Sequence, residues 1–264
     1  MADDLTRDQK EAERAAEEQA AVIAAALVLA LLSLRPRMSV VMWWIPDTWA
    51  DFADDVAKAI APASKAHDRA ARAVWLGYDP LDEATVAAEA AAREKAIRDI
   101  VDNTRKAVEK VVAWGQMNGV TGDDLSAILE KVAGINANQA GPLLDIWEKA
   151  MEGGAAAEKA AKLLVDAADK AVKDRAKTLT GDLLWDAVQA GRMAAGKQEQ
   201  RATNAVVTKR WVTQRDELVC STCGPLDGVT VHIADPFPGG FMMPKAHASC
   251  RCHTEITVSE EGMF

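Results

Sequence analysis

The hydrophobic pattern divides the chain near Ala205. Before that point apolar residues recur three and four positions apart, the period of helices with one buried face. A first helix is predicted from about Leu5 into Leu34, polar at its start and apolar at its end, and stopped by Pro36. Trp43 to Pro46 reads as a connector, and Asp47 as the N-cap of a helix running to about Arg72, with Pro62 a kink or break. Gly77 to Pro80 forms a turn. A long helix follows from Leu81 to about Trp114, where Ile97, Ile100, Val101, Val108, Val111 and Val112 share one face. Gly115 to Gly122 ends it, and Thr121 with Asp124 has the spacing of a capping box. Short helices are predicted at Asp123–Val132 and Pro142–Met151. After Gly153-Gly154 come Ala155–Lys177 and a further helix, Asp182 to about Gln200, capped by Thr180.

Past Ala205 alanine thins out while Val, Thr, Pro and Gly rise. Val206–Val212 and Gly228–Ile233 read as strands, the second after the turn Leu226-Asp227-Gly228. Asp235–Pro244, with its prolines and glycines, is a loop, and Arg251–Val258 a last strand. The fold class is therefore α+β: a mostly α-helical N-terminal region carrying a small C-terminal α+β module. The expected divisions are 1–46, a helix with an apolar segment and connector; 47–203, a helical region; and 204–264, the module that holds the cysteines.

Composition sharpens this picture. A formal net charge of -9 argues against broad DNA binding, which draws its affinity from Lys and Arg on phosphates; contact with packaged DNA is not indicated by charge. Met1–Glu18 lacks the basic start of a secretory signal, so a reducing cytoplasm is the default compartment. Ala20–Leu34 carries no charge but is shorter than the roughly 20 apolar residues of a spanning helix. It reads first as a buried or partner-facing helix, with membrane contact through residues 20–45 the alternative.

Candidate chemistry is concentrated in the last fifth of the chain. Cys220 and Cys223 have the C-x-x-C spacing of a metal knuckle, followed by Gly224, and His247, Cys250 and Cys252 supply a second half. There are five donors for four tetrahedral positions. The preferred set is Cys220, Cys223, His247 and Cys250, with Cys252 the alternative fourth ligand. Thiolates with at most one imidazole point to zinc, and a full set with no open position to a structural site. Two disulfides would also use all four cysteines. A redox C-x-x-C would need a thioredoxin-like strand and helix, which the flanks lack, and an HNH-type nuclease would need a paired catalytic histidine. His232 and His253 read as ordinary strand residues, and His67 carries no signal.

In combined order these residues resemble phage Mu F-like minor head proteins. The resemblance rests on Lys209 and Trp211, Asp216, Cys220 and Cys223, Leu226-Asp227-Gly228, and His247-x-x-Cys250-Arg251-Cys252, over about Ala176 to Val258. It departs where the family often shows Arg-Thr-Glu in the preceding helix, and where Ala248-Ser249 replaces Pro-Asn. It implies a non-enzymatic minor head protein of a tailed phage, assembled in the host cytoplasm and carried in the virion, inside the head or at the portal vertex. Its implied partners are the portal and other head proteins, and its implied role is head morphogenesis or the fate of packaged DNA. The rival expectations are a zinc-containing nuclease or effector delivered with phage DNA, and a membrane-active ejection protein.

Overall fold

The computed structural model describes residues 19–38, 43, 45–120, 122–154, 157–247 and 250–259. The helices are α1 (19–33), α2 (Pro46–Ile60), α3 (Ala63–Val74), α4 (Glu83–Met117), α5 (Gly122–Val132), α6 (Ala137–Glu152) and α7 (Ala157–Thr203). Strands β1 (Val206–Val212), β2 (Thr230–His232) and β3 (His253–Ser259) follow. The mostly helical region with a small α+β module is thus what the chain forms. Two compact units divide the described residues, one within 22–61 and 90–180, the other within 19–21, 62–89 and 181–259.

In the first unit α1 and the turn that ends it bury Ile23, Leu27, Leu31 and Leu34, four or three residues apart, while Val22 and Leu29 stay exposed. Residues Gln19–Arg37 are long and apolar enough to cross a membrane by length and composition; the buried stripe is what an amphipathic core helix also shows. Phe52 and Val56 of α2, Ile100, Val108 and Val111 of α4, and Ile128 and Leu129 of α5 belong to the buried set. Pro46 occupies the first turn of α2 and Ile45 is its N-cap, so Asp47 lies inside the helix. Proline suits that position, where its missing N–H would have no helical partner. Helix α2 ends before Pro62, as predicted. The Thr121 capping box lies outside the described residues. Helix α6 begins five residues before Pro142, because Asn136 and Gln139 form a reciprocal capping box.

The two helices predicted on either side of Thr180 are one, α7. The Thr180 hydroxyl donates back to the Ala176 carbonyl at 2.8 Å and so caps nothing. Gly181 costs a helix only about 1 kcal/mol relative to alanine.

In the second unit the C-terminal part of α7 organises the rest. An alanine Cβ at Gly191 would meet the His67 carbonyl oxygen at 2.2 Å, so α3 and α7 touch backbone to backbone. Gln198 receives the Asp79 amide and donates to the Asp79 carbonyl and the Thr85 hydroxyl, each at 2.9 Å. The sheet has order β2-β1-β3, both pairings antiparallel. Its core strand β1 buries Val207, Lys209 and Trp211 on one face. Val207 packs with Met193, Ile233 and Ile256 against α7, and Gln189 Oε1 accepts the Thr254 amide at 2.9 Å.

Candidate metal centre

The far end of the β1 face is covered by the loops that carry the cysteines. Trp211 lies at the middle of this cluster, with Cys223, Leu226, Phe237, Cys250 and Cys252 buried around it. Phe237 meets the Trp211 ring edge-on at 5.2 Å, and Phe241 does so at 5.9 Å. The proline- and glycine-rich loop is held closed by the Phe237 amide, which donates to Phe241 O at 2.8 Å. Gly239 and Gly240 there adopt φ of +87° and +83°, a region where side chains are strained.

Each half of the motif is locally built. After β1, the Asp227 carboxylate accepts the Thr213 amide at 2.9 Å and Arg215 Nε at 3.0 Å. The first of these contacts leads in holding that carboxyl below its usual range. Gly228, at φ +80°, lets the chain return beside Trp211, its amide donating to Trp211 O at 2.8 Å. Arg251, between two cysteines, binds Asp216 through both guanidinium nitrogens at 2.7 Å each. This bidentate pair joins the knuckle to the second half of the motif, lowering the pKa of Asp216 and raising that of Arg251. Gln214 adds a bond to Arg251 O at 3.1 Å.

All five donors named from the sequence converge. Cys223 is common to two groups whose ligand atoms lie within 4.8 Å of one another: Cys220, Cys223 and His247, and Cys223, Cys250 and Cys252. Cys223 Sγ stands 3.7 Å from His247 Nε2 and 3.8 Å from Cys250 Sγ. The four cysteines are separate thiols. Cys223, Cys250 and Cys252 are buried, Cys220 half-buried and His247 exposed. Cys220 Sγ accepts the Cys223 amide at 3.3 Å, which brings its pKa down to about 7. Burial pushes the Cys223 thiol up, as it does Cys252, where the Trp211 side chain acts in the opposite direction. Buried thiols crowded on one another are costly to ionise alone, and a thiolate-binding cation removes that cost. The donor set fits a metal such as zinc.

His232 sits half-buried on β2, 2.8 Å from Gln200 Nε2, and His253 opens β3; neither joins the groups around Cys223. The inward Lys209 is the contributor that strand pattern alone does not disclose. It is fully buried, donates to Met242 O at 2.8 Å and lies 5.1 Å from the Phe237 ring centre.

A helix-backed, three-stranded antiparallel sheet whose loops gather thiols and an imidazole defines a small Cys/His-cluster module that could bind a metal. Residues 143–255 match the model of the family described as Phage Mu protein F like protein, so over this stretch the chain carries a Mu F-like domain. The match begins within α6, upstream of the motif residues that carry the resemblance. No curated protein and no solved structure matches the chain.

Proposed function

We propose that this protein is a minor head protein of a tailed phage, acting in head morphogenesis through a Mu F-like module that a structural zinc ion holds together. The observation that carries the reading is the convergence of Cys220, Cys223, His247, Cys250 and Cys252 within the matched residues. Mu F-like proteins are structural head proteins, so the expected location is the virion and the expected partners are the portal and other head components. Cys220, Cys223, His247 and Cys250 are the proposed ligands, with Cys252 the alternative fourth. Zinc bound there supplies folding free energy rather than catalysis, as expected where protein ligands fill every position. For a module with one small core, that contribution replaces apolar burial it lacks.

The test is quantitative mass spectrometry of purified particles, scaling this chain against the portal protein. A few copies per particle support the reading. Absence from complete particles counts against it and favours a host-acting protein.

A further inference from the structure

His67 belongs to a second cluster of metal-ligating groups, separate from the cysteines. His67 and Asp68 come from α3, Tyr78 from the turn after it, and Glu89 from the second turn of α4. His67 Nδ1 lies 3.1 Å from a Glu89 carboxylate oxygen and 3.4 Å from Asp68 Oδ1, and the three ligand atoms are all within 4.8 Å of one another. The imidazole is buried, whereas the Asp68 and Glu89 side chains remain 38% and 29% exposed, which leaves a route from solvent.

The spacing is also one that ligands of a single ion adopt. Donors held about 2.1 Å from one cation stand about 3.0 Å apart at a right angle and about 3.4 Å apart at the tetrahedral angle. Tyr78, only 4% exposed, adds a second sign. Its hydroxyl reaches both His67 Nδ1 and Asp68 Oδ1 at 3.4 Å, longer than the roughly 2.5–3.0 Å of an O–H···O bond. A buried hydroxyl thus faces the cluster and makes only long hydrogen bonds to it. Burial raises the Glu89 carboxyl; His67 opposes that and the charge of Asp68 adds to it.

We propose that His67, Asp68 and Glu89 form a second metal site, taking a first-row divalent cation through one imidazole and two carboxylates. Oxygen ligands with a single imidazole suit manganese, iron or zinc, and the two carboxylates balance the charge of a dication. The ion ties α3 to α4, while the contact at Gly191 fixes α3 on α7.

The test uses the full chain and cobalt(II) as the probe, with bound metal counted after equilibrium dialysis. Thiolate-bound cobalt gives a sulfur charge-transfer absorption, and cobalt bound by nitrogen and oxygen does not. Two equivalents are expected in the native chain, one of each kind. Glu89→Gln and Asp68→Asn should each weaken only the second kind, by more than about tenfold, the least that altering even a supporting group at a metal site usually costs. Helix content and the charge-transfer band serve as folding controls. A single, thiolate-bound equivalent would overturn the proposal. A second equivalent that survives both substitutions would overturn it equally. Loss of the charge-transfer band alone, with the other equivalent retained, would fault the zinc centre and not this site.

Discussion

Arg175 of α7 offers a test of how the first unit is held together. Its guanidinium is buried, and among the described residues its hydrogen-bond acceptors include no carboxylate. Nη1 donates to Thr104 Oγ1 at 2.9 Å and to the carbonyls of Gly134 and Ile135 at 2.7 and 2.8 Å; Nη2 donates to Ile100 O at 3.1 Å. Burial lowers its pKa to about 10, which still leaves it charged at neutral pH. The acceptors at Gly134 and Ile135 lie in the connection that follows α5, so the cation ties that connection to α7. Arg175→Met keeps much of the bulk and removes every donor. Two buried carbonyls then lose their partner, at about 1–3 kcal/mol each, and relief of the buried charge offsets part of this. The net loss should be about 3 kcal/mol. Hydrogen exchange read by mass spectrometry, on peptides covering residues 125–145, should accelerate by more than about a hundredfold, since about 1.4 kcal/mol corresponds to each factor of ten. Exchange unchanged within a factor of about three would refute the assignment of Arg175 as the clamp of this segment.

Three further outcomes are expected. Burial, and then the nearby charge of Lys197, lower the pKa of Lys209 to about 8, against roughly 10.4 in an unfolded chain. The folded form then releases its proton first, so the module gains stability as pH rises from about 8 to about 10. Lys209→Met should flatten that slope in urea titrations at several pH values. Gly191→Ala should cost about 1–3 kcal/mol, because its Cβ would collide with the His67 carbonyl, while Gly181→Ala, with open space around it, should not destabilise; thermal melts compare the two. Asp216→Asn should speed zinc loss to a chelator severalfold and leave the sheet intact by circular dichroism, since it loosens the clamp on Arg251 and touches no ligand.

Much of this architecture was legible in the pattern of residues, and the exceptions have physical reasons. Strand β1 spans the predicted Val206–Val212 because its alternation has one dominant buried face. The motif residues converge as their spacing implied, since a knuckle and a short strand are local structures. Helix α6 begins earlier than Pro142 suggests, because the capping box of Asn136 and Gln139 starts it upstream of the proline. Thr180-Gly181 looked like a boundary, yet a threonine hydroxyl bonded to its own helix removes the signal that a cap would give. His67 was silent because its neighbours come from Tyr78 and Glu89, 11 and 22 residues away, and no local period connects them. Arg175 was silent for the same reason, its acceptors lying 40 to 75 residues distant.

The most direct test of the central claim is zinc X-ray absorption on the full chain loaded with one equivalent of zinc. A structural thiolate centre predicts a first shell dominated by sulfur at about 2.3 Å with one nitrogen, or sulfur alone if Cys252 displaces His247. Cys223→Ser should abolish that sulfur shell, since Cys223 is common to both donor groups. A shell of nitrogen and oxygen only, or a protein that retains no zinc while its sheet stays folded, would contradict a structural thiolate centre in this module.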